Sequence, residues 1–594
     1  MPLAAPSCTP DPVENTSTSP DGEIFPLPDE ADYDRENRRL QALVAEQRAR
    51  GREIVVVMGV GFVGAVMAGV VADSTDKATG APLYFVIGMQ RPSPRSYWKI
   101  PYLNRGLAPV EAEDPEVAPL IARCVNEKRT LTASFSYEAL ALADVVVVDV
   151  QCDYHKNALG DVRDGHAEIK ALEESLKIIG EKIAPHCLVL IETTVPPGTT
   201  EYVAYPILKK AFEARGLKIH HRDTEITEKN PERAAGALNL EPGTPRSGLE
   251  RAEGAEPLLA HSYERVMPGR HYVASIRDFW RVCAAVNAEA RDKVVRFLGN
   301  VLNVDKFPLT VLDRPIESET CKIVENSYRA TILAFLDEWS RFAERNGVDL
   351  VKVIEAIKVR PTHDNIIFPG PGIGGYCLPK DGGLGVWAYN TLMGFEDEIF
   401  KITPLAIDIN DTRSLHVAQL VRDALRNMGR IVAASRVAVL GASYRQDVGD
   451  TRYSGSEIIV RKIAEMGGEV VVHDPYVRHW WEFEKQDSYP APGRSWARFF
   501  RNQEHLADLT MATDLGGALA GVDAVVLAVP HEPYRALTPE QVVEMIGAPA
   551  AIIDCFGMLG DDQIRRYFEL GCEVKGLGRG HVQRIKKQVK NGKS

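Results

Sequence analysis

The chain of 594 residues has no clustering of cysteine and no excess of positive charge, and the two absences remove whole classes of function. Its nine cysteines run from Cys8 to Cys572 without paired spacing and without a neighbouring histidine cluster, so neither a disulfide framework nor a metal site is expected. Scattered thiols of this kind suit a reducing, cytoplasmic setting. Lysine and arginine number 70 against 82 aspartates and glutamates, a formal net charge of −12. That balance argues against nucleic-acid partners, which need clustered cations to displace counterions from phosphate. An anionic substrate must therefore meet a local basic site.

Long apolar runs are also scarce. Ile54 to Ala72 is nineteen residues without a charge, close to the length of a membrane span. Gly59, Gly61 and Gly64 break it just after a β-branched stretch, so it reads as a strand, a phosphate-binding turn and a buried helix, and no membrane association is expected. The opening segment Met1 to Glu23 is rich in Pro, Ser, Thr and acids and lacks the charged-then-apolar order of a secretory leader. The composition, 45% hydrophobic and 26% charged, is globular and sufficient for about three or four domains.

Residues 1 to 50 read as a disordered tail followed by a polar helix from about Tyr33. Strand, turn and helix then alternate: Ile54–Met58, Leu83–Ile87, Val145–Val150 and Leu188–Ile191 are the apolar runs of a first α/β unit over 51–310. Within it, 223–260 loses periodicity and gains Pro, Gly, Glu and Arg, as an inserted mobile loop would. Sustained helical patterning over 316–346 opens a helical middle domain, 311–430, whose long central helix joins the first unit to a second. That second α/β unit, 431–585, carries the runs Arg436–Gly441, Glu469–Pro475, Ala524–Val529 and Ala551–Asp554, with an insertion at 480–508 and a basic, frayed tail at 586–594. The fold class is thus α/β, two doubly wound Rossmann-like domains linked through helices.

Gly59-Val60-Gly61-Phe62-Val63-Gly64 follows a strand and opens a helix, the context in which glycines admit a pyrophosphate to a helix N-terminus. The second strand ends Gly88-Met89-Gln90-Arg91, with no carboxylate for the adenosine ribose. Gln90 can bond the ribose hydroxyls and Arg91 would suit a 2′-phosphate; NAD is the expected cofactor. Further along, Gly372-Ile373-Gly374-Gly375-Tyr376-Cys377-Leu378-Pro379-Lys380-Asp381 delivers a thiol beside a lysine and a carboxylate in a glycine-rich loop. A thiol held near its ionised form there would attack carbonyl carbon. Lys322 and Asn326, four apart, share one face of the central helix.

The order of these motifs, with Glu192-Thr193-Thr194-Val195-Pro196-Pro197-Gly198 between them and Gly441-Ala442-Ser443-Tyr444-Arg445, Gly449-Asp450-Thr451-Arg452 and Asp474-Pro475 after them, resembles the UDP-glucose/GDP-mannose dehydrogenase family over about residues 52–580. The resemblance implies a four-electron oxidation of a nucleotide sugar's C6 alcohol to a carboxylate, with two NAD and no metal. It makes Cys377 the nucleophile, Asp381 the base or water-orienting carboxylate, Lys322 and Asn326 oxyanion stabilisers, Thr194 a positioner of water or hydroxyl, and Glu264 the family's first glutamate. It sets Phe62, Val63 and Lys380 with the fingerprint glycines against the cofactor, and Gly374, Arg452 and Arg360 against a UDP-sugar, Arg360 reaching the site of a neighbouring subunit. It also implies a homodimer or larger homo-oligomer.

The sequence departs from the family in places. Pro268 stands where UDP-glucose enzymes carry a second acid, so His261 to Arg270 looks more like the UDP-N-acetylhexosamine branch, whereas Leu378-Pro379-Lys380-Asp381 looks more like the UDP-glucose branch. Val148-Asp149-Val150-Gln151 lacks the usual Thr-Pro ending. A two-electron 3-hydroxyacid dehydrogenase and a catalytically silent UDP-sugar-binding protein are the competing readings. The first needs no nucleophilic cysteine and no second nucleotide domain.

Overall fold

The apolar runs assemble into two parallel sheets separated by helices in a computed structural model that describes residues 15–110, 112–217, 256–267, 269–480, 482–483, 496, 499–501 and 503–592. Ahead of both lies a short antiparallel hairpin, β1 (Thr16–Thr18) with β2 (Ile24–Pro26), and then a polar helix, Glu30–Ala49, whose Asp29 cap is closed by Asp32. The first large sheet is built from β3 (Glu53–Met58), β4 (Tyr84–Met89), β5 (Leu131–Ser134), β6 (Val145–Val148), β9 (Leu188–Ile191), β10 (Leu258–His261), β11 (Val282–Ala285) and β12 (Thr310–Val311). A small antiparallel pair, β7 (Asp153–His155) and β8 (His166–Glu168), sits apart.

The first sheet runs β12-β11-β10-β9-β6-β3-β4-β5, with only the β10–β11 pairing antiparallel. Alternation along β3 sorts its side chains. Val55 and Val57 enter one core layer with the helix Phe62–Asp73, while Ile54, Val56 and Met58 enter the opposite layer with Leu172, Leu176 and Ile179 of the helix Lys170–Lys182. Both faces are therefore dry, which is why these strands read as unbroken apolar runs.

The second sheet contains β13 (Arg436–Leu440), β14 (Glu469–His473), β15 (Met511–Ala512), β16 (Ala524–Leu527), β17 (Ala551–Asp554) and β18 (Glu573–Gly576), ordered β15-β14-β13-β16-β17-β18 and parallel throughout. Between the sheets, the central helix Pro315–Asn346 packs along the helix Ile402–Asn427. The fully buried Arg413 locks that crossing, pairing with Asp337 at 3.0 Å, while Asn410 Nδ2 donates to the Ala330 carbonyl at 2.7 Å. Among the described residues no helix is long and apolar enough to cross a membrane; Ile54–Ala72 is β3, a turn and a buried helix.

Three sequence expectations need correction. Residues 15–29 are not a featureless tail: Phe25 is buried against Tyr102, ring centroids 6.0 Å apart, Ser17 Oγ accepts the Trp98 N–H at 3.1 Å, and Arg105 forks onto Glu23 at 2.7 and 2.9 Å. A polar-looking segment thus buries one phenylalanine and two serines, enough to dock when their partners are already fixed. The basic tail at 586–594 is helical through Gly592, because Val582 and Ile585 turn inward and Lys586 pairs with Glu573. The inserted loop ends sooner than expected, since Leu258 to Ala260 belong to β10 beside β9, and the rest of 223–260 up to residue 255 lies outside the described residues. Much of 480–508 lies outside them too, though Trp480 and Phe483 pack into the second core. Residues 1–14, 593–594 and Pro268 are also outside.

Candidate active site

The carboxyl ends of the parallel strands of the first sheet converge on one edge, the position where open α/β sheets bind ligands. β3 runs into the glycine turn, where Gly59 has φ of +96° and a β-carbon would stand 2.9 Å from the Asp149 carbonyl oxygen. A β-carbon at Gly64 would fall 1.9 Å from the Gly59 carbonyl oxygen, so turn and helix can close only with glycine at both positions. At Gly61 a side chain would meet nothing within 4 Å. A closed turn with an open middle, at a helix N-terminus, is a cradle that fits a dinucleotide pyrophosphate. Phe62 stacks on Tyr272 with ring centroids 4.7 Å apart, and Val63 lies half-buried on the same first helical turn.

The other strand ends add polar groups. Gln90 follows β4, and its Oε1 accepts the Val60 N–H at 3.2 Å; Arg91 beside it is exposed. Asp149 follows β6 beneath the glycine turn, and desolvation together with Glu192 and Glu264 pushes its carboxyl well above the carboxylate range. Glu192, after β9, forms a fully buried ion pair with Arg281. Thr194 is buried in the same turn. Glu264 lies beyond β10, with its N–H on the Glu192 carbonyl at 3.1 Å and its Oε2 accepting Val266 N–H at 2.6 Å.

The central helix supplies the facing wall. Lys322 Nζ donates to the Glu264 carbonyl at 3.1 Å and lies 3.8 Å from its carboxylate. Burial works against that ammonium, but Glu264, Cys377 and Asp381 together raise its pKa. One turn on, Asn326 Nδ2 donates to Asp381 Oδ2 at 2.7 Å. Lys380 Nζ donates to Asp381 Oδ1, also at 2.7 Å, and rests 4.6 Å from the Tyr376 ring centre. Asp381 is completely buried and opens the helix Asp381–Trp387, with its N–H on the Cys377 carbonyl at 2.9 Å. Thiol, ammonium, amide and carboxylate therefore occupy one pocket wall.

The thiol is not near its ionised form, contrary to the sequence reading. Burial and Asp381 push Cys377 up to about 11 against the opposing pull of Lys322 and Lys380. The chief physical reason is burial of the sulfur, which Lys380, paired with Asp381, offsets only in part. The pyridinium ring of a bound NAD⁺ would place a positive charge near the sulfur and act in the other direction.

The second α/β unit closes the pocket. Gly374 and Gly375 have φ of +48° and +75°, and β-carbons there would lie 2.5 and 2.9 Å from Tyr444 side-chain atoms. The Gly375 N–H donates to the Arg452 carbonyl at 2.8 Å. The Arg452 guanidinium, paired with Asp450 at 2.6 Å, lies 5.5 Å from the Phe62 ring and 5.4 Å from the Tyr376 ring, so it touches both the dinucleotide turn and the thiol loop. Arg360 stands apart. It is exposed after the helix Leu350–Lys358, and among the described residues no hydrogen bond or ion pair joins it to the Cys377 cluster.

Sequence reasoning passed over several participants. Glu319, three residues before Lys322 on the same helical face, accepts Gly198 N–H at 2.5 Å, Thr200 N–H at 2.8 Å and Thr200 Oγ1 at 2.6 Å, and burial raises it to about 7. Its spacing was the available signal. Tyr376, inside the cysteine loop, reaches the Cys152 carbonyl at 3.3 Å and the Asp153 carboxylate. Asp474, in the second unit, accepts Ala442 and Ser443 N–H at 2.7 and 3.0 Å and His531 Nε2 at 3.0 Å, which folds that unit's own glycine turn.

Comparison with known proteins gives the same family for both α/β units and the central helices. Residues 53–241 match the UDP-glucose/GDP-mannose dehydrogenase family's NAD binding domain, 316–412 its central domain and 438–561 its UDP binding domain, together more than half of the sequence. The UDP-N-acetyl-D-mannosamine dehydrogenase of Pyrococcus horikoshii is 26% identical over 533 residues, 89% of this chain and 100% of the relative. The UDP-glucose 6-dehydrogenase of Rickettsia conorii is 22% identical over 482 residues, 80% of this chain and 92% of that one. Among solved structures, the NDP-N-acetyl-D-galactosaminuronic acid dehydrogenase of Methanosarcina mazei superposes with a TM-score of 0.66 at 25% identity, covering 92% of this chain and 98% of its own. The chain belongs to the UDP-glucose/GDP-mannose dehydrogenase family and is an NAD-dependent nucleotide-sugar dehydrogenase.

Proposed function

We propose that the enzyme oxidises the C6 hydroxyl of a UDP-sugar to the carboxylate in two successive hydride transfers, with Cys377 holding the sugar between them. The observation that carries this reading is the meeting of the half-buried Cys377 with the buried Lys322, Asn326 and Asp381, with Asn326 and Asp381 hydrogen-bonded at 2.7 Å. NAD, held on the Gly59–Gly64 turn, supplies the hydride acceptor. After the first oxidation the Cys377 sulfur adds to the aldehyde carbon, and Asp381 takes the thiol proton. Lys322 and the Asn326 amide steady the oxyanion in a site nearly free of water, where fixed donors act most strongly. The resulting thiohemiacetal gives a thioester on the second oxidation. A water held by Asp381 and Thr194 then hydrolyses it, returning the thiol and releasing the uronic acid.

In the same reading, 51–310 holds NAD, 311–430 carries catalysis and dimerisation, and 431–585 holds the UDP moiety. Two things favour a UDP-N-acetylhexosamine: the full-length match to a UDP-N-acetyl-D-mannosamine dehydrogenase, and the form of the segment around Glu264. Val324, Tyr328, Phe335, Trp339 and Phe342 form an exposed apolar stripe along the central helix, with Ile402 and Leu405 exposed as well, and a second copy of the chain is the occupant we assign to it. Arg360 would then serve the site of the neighbouring subunit.

The test is a screen of UDP-sugars with NAD followed by product analysis. Two reduced cofactors per sugar and a carboxylate product are expected. One reduced cofactor with free aldehyde would leave a simple two-electron dehydrogenase, and no turnover of any sugar with intact UDP-sugar binding would leave a binding protein.

A further inference from the structure

The carboxyl end of β4 carries donors where a ribose diol would want an acceptor. A carboxylate at this position accepts from both ribose hydroxyls and repels a 2′-phosphate. Here Gln90 takes its place, and its orientation is fixed by chemistry: Oε1 must face the Val60 N–H, 3.2 Å away, so Nε2 turns toward the segment that follows β4. That nitrogen lies 3.4 Å from Ser96 Oγ and 3.5 Å from the Arg91 carbonyl, and Ser93 Oγ stands 2.7 Å from Ser96 Oγ. The side chain of Arg91 is exposed, and among the described residues it has no hydrogen bond and no ion pair. It is close enough to Tyr137 for its charge to act on the phenol. Among the described residues, no carboxylate hydrogen-bonds to Gln90, Arg91, Ser93 or Ser96.

The segment is also held in shape. Ser96 Oγ donates to the Arg91 carbonyl at 3.1 Å, Trp98 Nε1 donates to the Arg95 carbonyl at 3.1 Å, and the Trp98 N–H is taken by Ser17 of the N-terminal hairpin at 3.1 Å. Those bonds commit the two hydroxyls to the loop itself, so the unpaired Arg91 guanidinium is the group left to donate to an anionic oxygen, on a braced segment with no carboxylate to repel one.

We propose that Arg91, on the segment braced by Gln90, Ser93 and Ser96, forms a subsite for a ribose 2′-phosphate, so that the enzyme accepts phosphorylated nicotinamide dinucleotide as well as NAD. The inference rests on the reading of Gly59–Gly64 as the dinucleotide turn. It would make the redox state of both cofactor pools available to sugar oxidation.

The experiment compares 5′-ADP with 2′,5′-ADP by titration calorimetry on the full chain, which needs no turnover and no sugar. The 2′-phosphorylated ligand should bind within about threefold of 5′-ADP or more tightly. Its affinity should fall more steeply with added salt, as an exposed charge contact must. Arg91→Ala should weaken 2′,5′-ADP by about tenfold while moving 5′-ADP by less than about twofold. Gln90→Asp should restore discrimination against the 2′-phosphate, and the melting temperature of each variant checks its fold. Unmodified enzyme that binds 2′,5′-ADP more than about tenfold more weakly than 5′-ADP would overturn the proposal, as would an Arg91→Ala variant that weakens both ligands alike. Binding of neither ligand would remove the dinucleotide reading and this inference with it. Failure of the sugar oxidation alone shows in the UDP-sugar screen and leaves the calorimetry intact.

Discussion

Asn326 and Asp381, separated by 55 positions, are joined by a hydrogen bond of 2.7 Å from amide to carboxylate. The bond fixes which end of the amide faces the carboxylate and leaves the second Nδ2 hydrogen free for an oxyanion. Asn326→Ala should lower kcat by about a hundredfold, and Asn326→Asp should be at least as damaging because it sets two carboxylates against each other. KM for the UDP-sugar should change little in the alanine variant. Steady-state kinetics with both substrates varied would show this, and a rise in KM at unchanged kcat would move Asn326 from chemistry to ground-state binding.

The raised thiol has its own signature. Iodoacetamide should modify Cys377 of the unliganded enzyme slowly at neutral pH, with a rate that climbs about tenfold per pH unit and levels near the thiol's value of about 11. Asp381→Asn removes the carboxylate charge that helps to raise the thiol and should shift that profile downward. Mass spectrometry of the Cys377 peptide provides the readout, and a rate independent of pH between 7 and about 10 would contradict the assignment.

Glu319 links pH to stability. Its carboxyl is raised in the folded protein, to about 7, above the ordinary glutamate value, so the folded state holds the proton more firmly than the unfolded chain. The stability it contributes is complete below pH of about 4.5 and is lost as pH rises through about 7. Between those limits the melting temperature of the unmodified protein should fall with a steeper slope than that of Glu319→Gln. Parallel slopes would mean that Glu319 titrates normally.

The hairpin makes truncation costly. Phe25→Ala should destabilise the protein by about 3 kcal/mol, the usual cost of emptying a buried aromatic position, and removal of residues 1–28 should lower the melting temperature. Denaturant unfolding followed by tryptophan emission would report it through Trp98. An unchanged midpoint would show that the hairpin contributes nothing to the fold.

The apolar stripe on the central helix predicts association. In sedimentation velocity the unmodified protein should run as a dimer and Phe335→Glu with Trp339→Glu as a monomer, since buried carboxylates facing their symmetry copies are strongly unfavourable. A wild-type protein that sediments as a monomer would remove the assignment.

Most of the framework was legible because dry strands and long helices write themselves as composition. Leu188–Ile191 and Ala551–Asp554 coincide with their apolar runs, and the central helix begins one residue before its pattern. The Cys377 loop was legible because positive φ at Gly374 and Gly375 demands glycine. What stayed hidden depends on partners distant in sequence. Ser17 and Phe25 look like tail residues until Trp98 and Tyr102 are beside them. The cation expected to ionise the thiol, Lys380, is neutralised by its own neighbour, a pairing that adjacency alone could equally have turned toward the sulfur.

The thiol loop is gripped from both sides. Toward the second α/β unit it is bonded through Gly375 and Arg452 and wedged against Tyr444, and toward the first it is bonded through the Tyr376 hydroxyl to the Cys152 carbonyl and the Asp153 carboxylate. A loop tied to both α/β units registers any change in their spacing, so in the proposed mechanism a sugar held on Cys377 would keep its place between the two units while one carrier is exchanged for the next.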